Sequence, residues 1–209
     1  MKYQELEKLS DKLELIDKKS LMLLEPDLNN LNNNIKYWTK NKGLIRLKNS
    51  LYTLKSKYDK VQDKNHYIEF ISNQLLKPSY LSLEYVLAKY QILSEGVFVV
   101  TSVSYKASRE FNNEIANFSY QYIPKKLFNG FYIKNNEVTI ATKAKALFDF
   151  LYLRFNQLEV NKTNLESLRL NLEYLNSNDK KELNKYFKLL NKDDKWQKLY
   201  NLILNYDAN

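Results

Sequence analysis

The chain has 209 residues, 44% of them hydrophobic and 14% aromatic, and a formal net charge of +9 at pH 7. This length suits one large domain or two small ones, and the apolar content is enough for a core, which excludes a disordered chain. The sequence contains no Cys, so disulfides and thiolate metal sites are excluded. We see no secretory signal and no apolar run of the ~18–20 residues that span a bilayer, so we expect a cytoplasmic protein without a membrane partner.

The positive charge is concentrated in one segment. Residues 1–27 carry five lysines against seven acidic residues, whereas residues 28–60 carry eight Lys and Arg residues against Asp59 alone. Such a concentrated positive field is expected of a surface that binds phosphates. A solvated lysine face produces the same pattern, and charge alone leaves the two interpretations open.

Three helices are predicted at the start of the chain, over residues 3–13, 18–24 and 28–40, with Asp27 capping the third. The inner face of the third helix is predicted to be apolar: Leu28, Leu31, Ile35 and Trp38. Its outer face is polar: Asn29, Asn30, Asn33, Asn34, Lys36, Tyr37 and Lys40. Asn side chains donate and accept hydrogen bonds at base edges, and Lys side chains reach phosphates.

A β-hairpin is predicted next, because the alternating runs Leu44–Lys48 and Leu51–Leu54 flank residues 49–50. Three helices followed by a basic hairpin are the plan of a winged helix-turn-helix domain, in which the third helix enters the major groove. Arg46 and Lys48 on the hairpin would then meet the flanking backbone. Residues 55–65 are polar and are predicted to be a linker or a domain boundary. We therefore predict a DNA-binding domain over residues 1–57 and an α+β domain over residues 66–209.

The second domain is predicted to be organised around residues 75–104. A helix over residues 66–76 is ended by Lys77-Pro78, because proline cannot continue a helix. Ser79 or Ser82 is predicted to cap the next helix through its hydroxyl, and residues 97–103 are predicted to form a buried strand. The apolar stripe of that helix is Leu83, Val86, Leu87 and Tyr90.

The rest of the second domain alternates strands and helices. Residues 105–117 are polar, and strands are predicted over 118–123, 127–133 and 138–141, the last two joined by Asn135-Asn136. Thr142 is predicted to cap a helix with this core stripe: Ala144, Leu147, Phe148, Leu151 and Tyr152.

Residues from 161 onward are predicted to be helical. Thr163 with Glu166, and Asp179 with Glu182, have the spacing of capping boxes. Asp193 or Asp194 is predicted to cap the last helix, which carries an apolar face: Trp196, Leu199, Leu202 and Ile203.

No catalytic constellation is visible, so we expect no enzyme, no cofactor and no metal. His66 is the only histidine, and the sequence has no phosphate-binding loop and no zinc-protease motif. Asp149 lies among apolar residues, and we expect it to be paired with a nearby lysine or a backbone N–H. One enzymatic alternative stays open, a nuclease-like site that combines Glu84, Lys145 and Asp149.

Five motifs, in order, resemble the AbiEi-type antitoxins of bacterial and archaeal type IV toxin–antitoxin systems. They are NNNIKYWTKNKGLIRLKNSLYTL from residue 32, PSYLSLE from 78, VVTSV from 99, FSYQYI with LFNG from 118, and IATKAKALFDFLYL from 140. Together they span about residues 30–155. The chain departs from the family at the wing glycine, which is Ser50, at a second glycine, which is Gln91, and at a Pro-Glu pair, which is Lys143-Ala144.

The resemblance implies an N-terminal winged helix that binds inverted repeats in its own promoter and represses it. It also implies that the larger domain neutralises a nucleotidyltransferase-like toxin without a stable complex. We therefore expect an α+β, DNA-binding antitoxin and autorepressor, with a stand-alone regulator that has no toxin partner as the alternative. The residues expected to contact double-stranded DNA are Asn30, Asn33, Asn34, Lys36, Tyr37, Lys40, Arg46 and Lys48.

Overall fold

The chain forms two units by its internal contacts. The first comprises Met1–Ile71 and Phe111–Asn117, and the second comprises Ser72–Glu110 and Phe118–Asn209. The boundaries predicted near residues 57 and 66 stay a prediction.

The computed structural model describes residues 1–135, 137–190 and 194–206. Helices and mainly antiparallel strands both contribute to it, so the prediction of an α+β fold is confirmed. None of the helices in these ranges has both the length and the apolar character needed to cross a membrane.

The first unit follows the predicted order of three helices and a hairpin. Its elements are α1 (Tyr3–Lys12), β1 (Ile16–Asp17), α2 (Lys18–Met22), α3 (Leu28–Lys40), β2 (Leu44–Lys48), β3 (Leu51–Leu54), α4 (Lys55–Lys60) and the first part of α5 (Lys64–Leu75). Strand β1 was not predicted, because two residues are too few to show an alternating pattern. The prediction of a linker over residues 55–65 is wrong, since this segment forms α4 and the start of α5, whereas the alternative of a domain boundary stays a prediction.

The strands of the first unit pair in the order β1-β3-β2, and both pairings are antiparallel. Tyr52 in the central strand lies opposite Ile16 on one side and Arg46 on the other. The register shifts between Arg46 and Lys48, and Ser50 in the turn has a φ of 63°. The predicted hairpin is therefore confirmed, and it turns through a left-handed residue.

The core of the first unit is built by all three helices and the sheet. Its buried members are Leu6, Ile16, Leu21, Leu31, Ile35, Leu44, Tyr52 and Leu54. Trp38 packs against this core and is partly buried. The placement of Leu28 on the inner face is wrong, since its side chain is 52% exposed. Helical side chains lean towards the N-terminus, so the first residue of α3 extends beyond the turns that pack.

Aspartates begin the second and third helices. The backbone N–H groups of Ser20 and Asn30 donate to the carboxylates of Asp17 and Asp27, each at 2.7 Å. The Ser20 backbone hydrogen bond also lowers the pKa of Asp17. The predicted cap at Asp27 is therefore confirmed, and α3 is fixed at its first turn.

The elements after residue 72 form one sheet with flanking helices. They are β4 (Tyr80–Leu81), α6 (Leu83–Lys89), β5 (Val99–Ser104), β6 (Arg109–Asn112), β7 (Asn117–Tyr122), β8 (Phe131–Lys134), β9 (Val138–Ala141), α7 (Lys143–Phe155), α8 (Lys162–Ser167), α9 (Ser177–Lys188) and α10 (Asp194–Leu204). The strands follow the order β6-β7-β5-β4-β9-β8, and β4 pairs with β9 in parallel. The predicted stripes of α6 and α7 are buried except for Tyr90 and Tyr152, which are half-buried.

Three strand predictions in this unit need correction. The strand expected over 97–103 begins at Val99, and the strand expected over 127–133 begins at Phe131, because residues 125–127 form a 3₁₀ turn. The polar segment 105–117 contains β6, whose sequence has no apolar alternation to reveal it. The predicted turn at residues 135–136 lies partly outside the described residues.

The serine caps predicted for α6 are wrong. Ser79 donates its hydroxyl to the Leu76 carbonyl at 2.6 Å, and Ser82 occupies the cap position but donates its hydroxyl to Asp149 at 2.8 Å. Thr101 on β5 replaces them, because its hydroxyl oxygen accepts the Tyr85 backbone N–H at 3.0 Å. A neighbouring strand therefore satisfies the first turn of this helix.

The cap predicted at Thr142 is confirmed, since its hydroxyl accepts the backbone N–H of Lys145. The two capping boxes predicted further along are wrong, because α8 and α9 begin earlier, at the side-chain caps Asn161 and Asn176. Helix α10 begins at Asp194, and the alternative cap, Asp193, lies outside the described residues.

Candidate nucleic-acid interface

The predicted DNA-contacting residues lie on two neighbouring elements of the first unit, helix α3 and the hairpin β2–β3. Six of the eight are exposed: Asn30, Asn33, Lys36, Tyr37, Lys40 and Arg46. The remaining two, Asn34 and Lys48, are half-buried. Because Leu31 and Ile35 fix the buried side of α3, the 3.6-residue repeat turns the exposed set towards solvent.

Hydrogen bonds fix the turn between α3 and the hairpin and attach the hairpin to other parts of the first unit. The N–H of Gly43 donates to the Trp38 carbonyl at 2.8 Å, which ends α3 directly before β2. The N–H of Lys18, at the start of α2, donates to the carbonyl of Ser50 at the hairpin turn at 3.1 Å. Asn113 donates its side-chain amide to the Leu47 carbonyl at 3.1 Å. Helix and hairpin are therefore held as neighbouring parts of one unit.

The asparagines of this region divide into two groups by their hydrogen bonds. Asn32 accepts from the Lys18 ammonium at 2.9 Å, Asn34 donates to Glu25 at 3.4 Å, and Asn41 donates to the Tyr37 carbonyl at 2.9 Å. Within the described ranges, the side chains of Asn29, Asn30 and Asn33 make no hydrogen bond. These three asparagines of α3 are therefore available for a ligand without loss of a contact to a described residue.

The cations of the basic segment also differ in their contacts. Lys36, Lys40, Lys42 and Arg46 are exposed, and none of them forms an ion pair with any residue that the structure describes. Uncompensated, exposed cations beside each other attract phosphates. These four side chains therefore supply the positive field of the candidate interface.

Two other lysines of the segment support the fold. The Lys57 ammonium donates to the carbonyls of Ser10 and Leu13, at 2.8 and 3.0 Å, and so satisfies free carbonyls at the end of α1. Lys55 pairs with Asp59 along α4. Part of the charge that the sequence concentrates between residues 28 and 60 is therefore used inside the protein.

Sequence reasoning left Asn29 and Lys42 out of the predicted contact set. The signal for Asn29 was present, because residues 29, 33, 36 and 40 continue one helical stripe. Lys42 follows α3 in the turn before β2, with a φ of 55°, and only the structure shows that its side chain is exposed there.

Tyr37 is the exposed aromatic residue of the interface. Its side chain is 58% exposed, and its ring lies edge-on to Trp38, with the ring centroids 4.9 Å apart. Trp38 in turn packs against Tyr3. This packing fixes the aromatic side chain beside the asparagine stripe, where it can contact a sugar or a thymine methyl group.

The second unit contains a buried polar cluster centred on Asp149. Its carboxylate pairs with Lys145 and accepts hydrogen bonds from the hydroxyls of Tyr80 and Ser82, at 2.9 and 2.8 Å. Both members of the ion pair are fully buried, which confirms the predicted pairing of Asp149 with a nearby lysine. Burial raises the pKa of Asp149 and lowers that of Lys145, because it penalises both charged forms.

The three residues of the nuclease-like alternative are not brought together. Glu84 pairs with Arg154 at 3.1 Å, whereas Lys145 and Asp149 have no exposed side-chain surface. Across the described ranges, no three side chains of His, Asp or Glu gather as a metal site would require. The cluster therefore joins β4 and α6 to α7 and offers no access to a substrate.

Comparison of the chain with protein-family models gave no match, and no curated protein matches its sequence.

Proposed function

We propose that this chain is a duplex-DNA-binding autorepressor that also acts as the antitoxin of a type IV toxin–antitoxin pair in the cytoplasm. One observation carries the DNA-binding part. Helix α3 exposes unpaired asparagines and uncompensated lysines next to a hairpin that carries the exposed Arg46. Asparagines that reach base edges and cations that reach phosphates are the two contact types of a DNA-binding helix.

The order of elements in the first unit supports a winged helix-turn-helix. The elements follow the order α1, β1, α2, α3, β2 and β3, and the short β1 pairs with β3 of the hairpin. In a helix-turn-helix protein the second helix of the motif enters the major groove. By this arrangement α3 is the helix that contacts bases, and Arg46 and Lys48 contact the neighbouring backbone.

The antitoxin part is supported by the resemblance to the AbiEi-type family and by two backbone conformations. Ser50 and Gln91 replace glycines of that family, and their φ values are 63° and 60°. Glycine is the residue that enters this left-handed region without a steric penalty. Both positions therefore have the left-handed backbone conformation that favours glycine, although neither residue is a glycine.

A binding role is also favoured over a catalytic one. The most enzyme-like pair in the second unit, Lys145 with Asp149, is buried and hydrogen-bonded to its own fold. We therefore propose no catalytic residue and no cofactor.

The DNA-binding proposal is tested with duplex DNA from the gene's own upstream region and a scrambled duplex, titrated over a range of salt concentrations. We expect preference for the native duplex. A variant with Lys36, Lys40, Arg46 and Lys48 changed to Gln should bind more weakly. Its log–log salt slope should be shallower by up to roughly 3.6, because each phosphate contact contributes about 0.9.

The matched control changes Lys181, Lys185, Lys188 and Lys198 to Gln. These lysines are exposed on α9 and α10, and the control removes the same net charge. Its slope should stay that of the wild type. Equal losses in both variants would mean that generic charge, and not this surface, binds DNA.

The antitoxin proposal is tested by expressing the chain together with a nucleotidyltransferase-like toxin encoded beside it. We expect growth to be restored, and restored also by the Lys36, Lys40, Arg46 and Lys48 variant, because neutralisation is assigned to the second unit. Continued growth arrest together with intact repression of the promoter would contradict the antitoxin role. It would favour the alternative of a stand-alone regulator.

A further inference from the structure

Helix α3 carries one stripe of outward-facing residues that continues along its length. At about 100° per residue, positions 29, 33, 36 and 40 fall within roughly 60° of one another. This stripe is opposite the side on which Leu31 and Ile35 are buried. All four side chains are exposed. The stripe therefore consists of two asparagines followed by two lysines.

The two asparagines of the stripe are chemically free. The side chains of Asn29 and Asn33 make no hydrogen bond to any described residue, while Asn32 and Asn34 are engaged by Lys18 and Glu25. An unpaired asparagine amide on a DNA-facing helix offers both a donor NH₂ group and an acceptor oxygen. Asn29 and Asn33 are thus the asparagines best placed to contact bases.

The chemistry of the amide selects one base. In the major groove adenine presents the N7 acceptor beside the N6 amino donor, and an asparagine matches both at once. Guanine presents two acceptors, which suit Arg or Lys, and α3 contains no arginine. An asparagine pair on the exposed stripe of the helix therefore favours adenine over guanine.

We propose that Asn29 and Asn33 recognise adenines in the major groove of the operator, an inference that rests on the proposed DNA-binding function. Each Oδ1 accepts a hydrogen bond from an adenine N6 amino group, and each Nδ2 donates to the N7 of that base. Four residues of helix rise by about 6 Å, and base pairs follow every 3.4 Å or so. The two adenines are therefore expected about two base-pair steps apart, on either strand.

The two lysines of the stripe are not assigned to a base. A lysine ammonium can contact a phosphate or the O6 and N7 of guanine, so Lys36 and Lys40 set affinity without fixing adenine. Asn30 lies on the same edge of the exposed face as Tyr37, two turns away, and has no assigned base.

The experiment has two steps. Full-length protein first selects duplexes from a randomised library at moderate salt, and we expect two positions enriched in adenine. Each enriched adenine is then replaced by 7-deazaadenine, which removes only the N7 acceptor. Replacing an adenine by guanine should weaken wild-type binding by about 5- to 150-fold, the range for loss of one bidentate pair. Replacing it by 7-deazaadenine should weaken binding less, because only one of the two hydrogen bonds is lost.

Matched variants separate recognition from folding. In Asn29→Ala and Asn33→Ala, the penalty for deazaadenine should disappear at one enriched position each. Asn32→Ala, the same substitution at an exposed position of the same helix that lies off the stripe and is engaged by Lys18, should keep both penalties. Thermal melting of each variant confirms that the fold is intact.

The outcomes distinguish this inference from the proposed function. Selection of a motif without adenine, or deaza penalties that persist in both variants, would overturn the assignment of Asn29 and Asn33 while leaving a DNA-binding protein. Failure of the wild type to bind any duplex would overturn both.

Discussion

Lys145 and Asp149 lie four residues apart on α7, and neither side chain reaches solvent. The Lys145 ammonium is also enclosed by aromatic rings, with Phe148 at 4.8 Å and Tyr186 at 5.4 Å from the ring centroids. The attraction within a buried pair offsets the cost of removing both charges from water, whereas one charge left alone is strongly destabilising. At this position the lysine therefore stabilises the fold by compensating a carboxylate.

Changing Lys145→Met should lower the free energy of unfolding by about 3–5 kcal/mol at neutral pH, because Asp149 loses its counter-charge. Burial already raises the pKa of Asp149 above its ordinary value of 3.8, and removing the ammonium raises it further. A carboxyl group with a raised folded-state pKa contributes stability that is present below 3.8 and is lost as the pH rises through that pKa. The difference in unfolding free energy between wild type and Lys145→Met should therefore shrink on acidification, as measured by urea denaturation across pH.

The double variant Lys145→Met with Asp149→Asn serves as the control for this prediction. It has no carboxyl group to titrate at the cluster. Its loss of unfolding free energy should therefore lack the decrease on acidification that is expected of Lys145→Met. A deficit in Lys145→Met that grows on acidification would contradict the account.

Gln91 is a second residue whose conformation has a measurable cost. Its φ of 60° lies in the left-handed region, which disfavours an L-residue by about 1–2 kcal/mol. Gln91→Gly should remove this strain, and the greater freedom of glycine in the unfolded chain offsets about 0.4–1 kcal/mol of the gain. We expect a net stabilisation of about 0.5–1 kcal/mol in thermal melting.

The matched control is Ala88→Gly, three residues earlier in the helical part of α6. Glycine there should destabilise the protein by about 0.5–1 kcal/mol, because it adds freedom to the unfolded chain without relieving strain. If Gln91→Gly destabilised the protein as Ala88→Gly does, the backbone at residue 91 would not be strained.

At the scale of elements, β5 shows how an apolar run can exceed the strand that it forms. Residues 97–103 carry a run of β-branched and aromatic side chains, yet the strand begins at Val99, and Phe98 is 91% exposed. Phe118 in β7 is the same residue type with 1% exposure. Burial of these two phenylalanines therefore follows from their position relative to the strands, since Phe118 lies in β7 and Phe98 precedes β5, and not from local composition.

Phe118→Ala should cost about 3–5 kcal/mol of unfolding free energy, because it removes a buried ring and leaves a cavity. Phe98→Ala should stay within about 0.5 kcal/mol of the wild type, as exposed substitutions do. Denaturant unfolding of both variants checks the pair. Similar losses would mean that Phe98 is packed against the protein in solution.

At the scale of the whole molecule, the basic segment serves two purposes. Lys57 donates to two carbonyls at the end of α1, whereas Lys36 on α3 has no ion pair with a described residue. A hydrogen bond from a charged donor contributes about 1.5–3 kcal/mol, and a cation also favours the helix C-terminus. Stability and ligand affinity should therefore depend on different lysines.

Lys57→Met should lower the free energy of unfolding by about 1–3 kcal/mol and leave duplex affinity unchanged where the protein is folded. Lys36→Met should leave stability within about 0.5 kcal/mol of the wild type and weaken duplex binding. Thermal melting and a duplex titration on both variants measure the two effects. Loss of affinity in Lys57→Met alone would move the interface from α3 to α4.

Local patterns determined much of the fold and the surface of α3. The apolar repeat of residues 28–40 and the Asp27 cap predicted this helix with its observed bounds, and the alternation around residues 49–50 predicted the hairpin. These features depend on residues within a turn or a strand of each other, which periodicity records. The density of lysine between residues 28 and 60 was likewise visible in the sequence.

Only the tertiary structure decided which polar groups are already engaged. Asn32 and Asn34 look equivalent to Asn33 in sequence, but Lys18 and Glu25 reach the first two from outside the helix. Ser82 donates a hydrogen bond to Asp149, which is distant in sequence, and Thr101 on a strand caps α6. Such partners are fixed by long-range packing, because a side chain bonds to whichever group the fold brings near, and no local pattern records that neighbour.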